Sequence, residues 1–291
     1  MKTLEVLETG PLTTVQDLGR PGMAALGVGQ AGAADRGALR LANRLVGNPE
    51  GAAALEVTVG GLAVRARGEL TVALAGAPCP ITLDGRREAC HTVLHLPAGA
   101  ELRLGVPETG LRSYLAVRGG VDVAPVLGSR STDVLAGLGP ERPVAGTALP
   151  VGPAPAGWPS VDHAPVPASP GGELTLRVVP GPREDWFTAE ALDMLFHAAY
   201  TVTPESNRVG MRLAGPPLAR AREGELPSEG MALGALQVPP SGQPTLFLAD
   251  HPVTGGYPVA AVVVDADVDA AAQARPGQRL RFRPQREEAR L

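Results

Sequence analysis

Four short stretches, residues 16–22, 206–213, 228–230 and 250–258, each set a carboxylate or an arginine among glycines. Asp17 and Arg20 lie in the first, Arg208 and Arg212 in the second, and Glu229 in the third. The fourth holds Asp250, Thr254, Gly255, Gly256 and Tyr257, and Gln237 stands between the last two. An arginine fork holds carboxylate or phosphate, a carboxylate orients water or moves a proton, and glycine lets backbone amides approach a ligand closely. Such residues in loops are where binding and catalysis concentrate. Structure uses the same types: Asp17 suits a turn, Asp35 a helix N-cap, and Arg208 a structural carboxylate.

Other chemistries are excluded by what the chain lacks. Of its 26 Lys and Arg residues the only lysine is Lys2, so there is no phosphate-loop lysine, Schiff-base lysine or internal biotinyl lysine. A phosphate would have to be held by arginine forks, backbone amides or a metal. Gly27, Gly29 and Gly32 spell G-x-G-x-x-G, but Arg20-Pro21-Gly22-Met23 ahead of them is no buried parallel strand, and a dinucleotide fold is not expected. His91 and His95 lie on a predicted strand, where four residues separate the rings by roughly 13 Å, too far to share a metal. His163 falls in a proline-rich connector and His197 on a helix. Only His251, in the fourth loop, stands apart from an ordinary structural reading. There is no H-E-x-x-H, cysteine cluster or G-x-S-x-G elbow, and no metal is expected.

The formal net charge of −4 and 3% aromatic content argue against nucleic acid and anionic membranes as partners. Cys79 and Cys90, with no C-x-x-C, fit buried thiols in a reducing compartment. Glu5 and Glu8 interrupt any signal-peptide core, and no apolar run approaches the roughly 18 residues that span a bilayer. A cytoplasmic protein is expected.

These loops must be carried by many short strands, because glycine (37) and proline (30) punctuate a 291-residue chain that is 44% hydrophobic. Strands are predicted at 55–59, 69–75, 81–83, 92–96, 113–117, 174–179, 245–249, 259–264 and 278–282. Helices are predicted at 36–46 behind Asp35, at 186–199, and at 268–273 after Asp267. Nine prolines between Pro140 and Pro170 predict an extended connector. The domains are accordingly read as 1–150 and 172–291, joined by 151–171, and a cut between Gly157 and Pro167 should leave two folded halves. The six arginines from Arg275 to Arg290 read as a strand edge and solvated tail.

Segments along nearly the whole chain carry a resemblance: 16–22, Gly-Ala-Ala-Asp-Arg-Gly-Ala-Leu at 32–39 continuing to Asn48, Leu55-Glu56, 113–120, Leu-Gly-Ser-Arg-Ser-Thr at 127–132, 178–182, 206–213, 228–244 and 254–258. The chain resembles the family formed by the C subunits of 5-oxoprolinase, also labelled allophanate hydrolase subunit 2 or Kip-inhibitor antagonist. It is similar as well to the C-terminal part of the urea amidolyase carboxyltransferase region. It departs from the family with Asn207 for an Asp, Val209 for a Met, Ala34 for a Met and Val253 for a Thr.

The resemblance implies a mainly β fold of two cyclophilin-like β-barrel domains with one or two helices each. It implies one component of an ATP-dependent 5-oxoprolinase that opens 5-oxoproline to L-glutamate alongside the A and B subunits. In that role Arg208 and Arg212 would face phosphate, Glu229 or Asp250 would orient water, and the Gly255 and Gly256 amides would meet the developing oxyanion. Asp17, Arg20, Gln237, Thr254 and Tyr257 would complete a substrate pocket. ATP would sit on, or be shared with, one of the partner subunits. The alternatives are a carboxyltransferase using biotin on a separate carrier, or a regulator that binds a kinase inhibitor.

Overall fold

The computed structural model describes residues 2–166, 171–224 and 226–285. The chain divides into two compact units, Met1–Gly22 with Gln30–Ser169 and Met23–Gly29 with Pro170–Leu291. Residues 167–170 of the predicted connector and 286–290 of the arginine tail lie outside the described residues.

In the first unit the strands form two sheets. One runs Ala148–Pro150, Thr3–Thr9, Leu62–Arg67, Glu101–Leu104, Ile81–Leu83, Arg86–Glu88; the other runs Leu12–Gln16, Ala54–Thr58, Arg112–Val117, Leu70–Gly76, Val93–Leu96. The period-2 alternation of each strand sorts its side chains by size. Leu70, Val72 and Leu74, with Leu115 and Val117, join Leu4, Val6 and Val64 of the other sheet in one core. Their neighbours Ala73, Ala75 and Ala116 turn to the opposite face, where small side chains let helix α1 (Arg36–Leu45) approach through Leu39, Ala42 and Leu45. With both faces covered, every residue of Arg112–Val117 is buried. Asp35 caps α1 as predicted, its side chain accepting from the Ala38 amide.

The connector is more firmly held than its prolines suggest. Arg118 donates to the carbonyls of Val46 (2.7 Å), Pro155 (2.5 Å) and Gly157 (2.7 Å), and its guanidinium lies 3.8 Å from the centre of the Trp158 ring. Further on, Val93 donates to Asp162 and Ala164 to His91. Residues 155–164 therefore belong to the first unit. Proline removes only its own N–H, and the carbonyls it leaves are ready acceptors for arginine.

The second unit closes a seven-stranded barrel in the order Leu174–Pro180, Val259–Val263, Ala235–Gln237, Thr245–Phe247, Gly210–Ala214, Ala199–Val202, Arg279–Pro284. The first and last strands pair in parallel to complete the circle. Leu176, Val178, Leu213, Leu236, Leu280 and Phe282 are among the side chains filling it. Helix α2 (Ala189–His197) starts later than predicted because Thr188 caps it, after a short turn at Glu184–Trp186. Helix α3 (Asp265–Ala272) starts before Asp267. That carboxylate instead accepts from the Arg177 amide and both ends of its fork, which hold it below the usual carboxylate range.

Candidate functional site

Just outside the second-unit barrel, Glu229–Gly230 and Thr254–Gly255 pair as a two-stranded ribbon. Gln237, at the end of a barrel strand, donates from Nε2 to the Tyr257 carbonyl at 3.2 Å and meets the Met231 sulfur at 3.5 Å. A Cβ on Gly255 would stand 2.5 Å from Gln237 Nε2 and 3.1 Å from Met231 Sδ, so any larger residue there would displace the Gln237 amide from its present position. Ala235, Phe247 and Val259 form a small apolar cluster with Met231 packed against it. Thr254 and Tyr257 are exposed. Glu229 is held in a two-point ion pair with Arg183, which lowers its pKa. Ribbon, Gln237 and Tyr257 thus come together as a local polar group.

Arg208 and Asp250 do not present their charges to solvent. The Arg208 Nε and Nη2 atoms each donate to Asp250 at 2.9 Å, and both side chains are fully buried. The expected phosphate cation and water-orienting carboxylate are bonded to each other, which follows the structural reading open to Arg208. Main-chain bonds reinforce the pair: Asp250 N–H donates to the Arg208 carbonyl and Leu248 N–H to that of Val209. Arg212 is exposed on the outward face of its strand, between buried Met211 and Leu213, with its amide bonded to Ser206 Oγ. It does not join Arg208. Asn207 makes a turn in which its Oδ1 accepts from the amides of Val209 and Gly210, a task an amide oxygen performs as well as a carboxylate.

In the first unit Asp17 is the centre of a loop knot. Its Oδ1 accepts from the Gly19 amide, Ser129 Oγ and Ser131 Oγ, and its Oδ2 from the Arg130 amide at 2.6 Å. Arg20 is buried and donates from Nη2 to the Ser131 carbonyl at 2.5 Å, while its Nη1 is buried without a hydrogen-bond partner. Positive φ at Gly19 and Gly32 lets residues 17–20 and 30–33 interlock, with Ala33 donating to the Asp17 carbonyl. A cavity of about 650 Å³ beside this knot is lined by Thr9, Thr13, Thr132, Asp133, Gly139 and Arg142 among others, and by none of the residues selected from the sequence.

Behind α1 lies a network that sequence reasoning misses. Tyr114 donates to Glu56 Oε2 at 2.7 Å and accepts from the Asp35 amide, while Glu56 also accepts from Ala34 N–H and faces Arg112 at 3.7 Å. The signal for it is a Glu and an Arg placed within strands otherwise apolar enough to be buried. Ser129, Ser131 and Arg183 escape notice because nothing in sequence ties them to residues tens of positions away.

With this geometry in view, comparison with known proteins decides the family. A model of the carboxyltransferase domain, subdomain A and B, matches residues 26–284. The chain belongs to this carboxyltransferase-domain family. Within it, the chain is 39% identical to the C subunit of 5-oxoprolinase from Escherichia coli over 96% of this chain and 90% of that protein, and 32% identical to its Haemophilus influenzae namesake over the same shares. It is 34% identical to urea amidolyase of Lachancea kluyveri, matching 96% of this chain but 17% of that protein. The solved urea amidolyase of K. lactis superposes with a TM-score of 0.92 at 31% identity over 98% of this chain and 19% of that one. The solved protein TTHA0988 gives 0.87 at 37% identity over 97% of this chain, which spans 55% of its length. The carboxyltransferase-domain fold accounts for the mainly β architecture. Among the described residues no helix is long and apolar enough to cross a membrane.

Proposed function

We propose that the chain is the C subunit of an ATP-dependent 5-oxoprolinase, opening 5-oxoproline to L-glutamate together with A and B subunits and inactive without them. The observation that carries this reading is the end-to-end correspondence with two proteins named as the C subunit of 5-oxoprolinase, each matched over 90% of its own length. A five-membered lactam resists water, so its carbon must first be activated by phosphorylation of the carbonyl oxygen, which is the use of ATP here. Arg183 and Arg208 are each paired with a carboxylate. In this reading the nucleotide sits on a partner subunit or is shared with one, as the family resemblance implies. The groups the second unit offers to a small polar substrate are the Gln237 amide, Thr254, Tyr257 and the Gly255-Gly256 backbone. Arg208 and Asp250 act as positioning residues beneath this loop.

A second reading, a biotin-dependent carboxyltransferase component, is favoured by the family's name and the urea amidolyase relatives. With Lys2 its only lysine, the chain would depend on a separate biotin carrier. Release of ADP and glutamate from 5-oxoproline by purified subunits separates the readings. The proposal expects turnover only when A and B are added. Turnover by the chain alone, or carrier-dependent loss of carboxybiotin with no glutamate formed, would overturn it.

A further inference from the structure

His251 sits on the loop between the buried Arg208–Asp250 pair and the ribbon. Its Nδ1 lies 2.8 Å from the Pro252 carbonyl oxygen. A carbonyl has no proton to give, so in this bond the proton belongs to Nδ1, and the neutral ring carries its free lone pair on Nε2. Nε2 is neither buried nor bonded to any described residue. The ring packs against Phe247, with centroids 6.2 Å apart, and Phe247 belongs to the apolar cluster that Met231 joins beneath Gln237 and Gly255.

The loop is fixed on both sides of the imidazole. Before it, Asp250 is locked to Arg208 by side chain and main chain, and His251 N–H closes a turn onto the Leu248 carbonyl. After it, Met231 N–H donates to Val253 as the ribbon begins. None of the other histidines combines these features. His91 Nε2 is buried, His95 Nδ1 is engaged by Thr71, and His197 stands exposed at the end of α2 against Asp193. His163 lies in the connector that pairs with Thr92.

We infer that His251 is the proton-transfer residue of this site, with Nε2 as the base and the Arg208–Asp250 pair holding it in place. The assignment rests on the 5-oxoprolinase reading for its substrate. As the oxygen of water bonds to the activated lactam carbon, its proton passes to Nε2. The imidazolium then gives that proton to the ring nitrogen, which takes the electron pair of the breaking C–N bond. The imidazole ends neutral, as it began. The activating phosphoryl group comes from ATP and leaves as inorganic phosphate with a second water.

The test uses the reconstituted three-subunit mixture. His251→Asn keeps an N–H for the Pro252 carbonyl but has no base, and it should fold normally while kcat falls roughly 10²- to 10⁴-fold with little change in KM. His251→Gly should lose as much and regain turnover when free imidazole is added, a rescue that a merely structural role would not give. Retention of more than a third of kcat by His251→Asn, or no rescue of His251→Gly, would overturn the inference. Nitrogen-15 NMR of the isolated chain asks about the ring independently of substrate: Nε2 must be the unprotonated nitrogen of the neutral form, and the opposite tautomer overturns the inference. A wild-type mixture that makes no glutamate overturns the substrate reading instead, and the NMR result then decides the base assignment.

Discussion

The Arg208 guanidinium and the Asp250 carboxylate meet in a two-point fork, 2.9 Å at each bond, with neither side chain reaching solvent. A pair this deep is costly to break from one side, because the remaining charge is left in a medium that cannot solvate it. Arg208→Ala should therefore lower unfolding stability by about 3–5 kcal/mol in denaturant titrations. Arg208→Lys should recover little, since an ammonium cannot make both bonds. Replacing both partners with apolar residues of similar volume should restore much of the loss. An Arg208→Ala protein as stable as wild type would refute the structural role of the pair.

Asp17 is expected to behave as a tie rather than a ligand. Four donors converge on its two oxygens. Asp17→Asn replaces one acceptor with a donor facing donors, and should cost about 2 kcal/mol of stability. Hydrogen exchange at the Arg130 amide, which donates to Oδ2, should accelerate in the variant. Unchanged exchange at Arg130 would show that the loop is held without Asp17.

Tyr114 gives the fold an alkaline sensitivity. Burial first, then the adjacent Glu56 and Asp35 carboxylates, hold its phenol well above the ordinary value of 10.0, with Arg112 opposing them weakly. A phenol whose folded pKa is raised contributes stability that is whole below pH 10 and is lost as pH rises from there toward the folded value. Tyr114→Phe should reduce stability near neutrality by about 1–2 kcal/mol, because Glu56 loses a donor, and should flatten the decline above pH 10. A wild-type stability curve that is level from pH 9 to 12 would contradict this.

The connector should resist proteases until Arg118 is removed. In wild type, residues 155–158 are held by Arg118 and 162–164 by main-chain bonds. Arg118→Ala should leave three carbonyls unpaired and free the Trp158 ring, exposing a cleavage point near Gly157 while the sheets remain intact. Equal cleavage rates in the two proteins would show that Arg118 does not anchor it.

The period-2 alternation and the turn residues make much of the architecture legible. Each of the nine predicted strands has its counterpart within two residues at either end, because a short run of Val, Leu and Thr between glycines has few other ways to satisfy its backbone. Thr3–Thr9 and Leu62–Arg67 do not read as strands, since their charged residues face solvent beside one another: Arg65 and Arg67 meet Glu5 across the sheet. The start of α3 differs from expectation because Asp267 looks like a cap in sequence, while its actual partner, Arg177, is 90 residues away.

The sequence by itself determined the β-rich character, the absence of any lysine beyond Lys2, and the loops in which polar chemistry is concentrated. All of these depend on residue type and local spacing. Tertiary structure alone decided which charges are free. Arg208 and Asp250 lie 42 positions apart, and Arg183 and Glu229 lie 46 apart. No local pattern announces that such groups will neutralise each other. A charge's partner is set by barrel closure and strand register, and burial then decides whether that charge can reach a substrate or serves to position the loop that does.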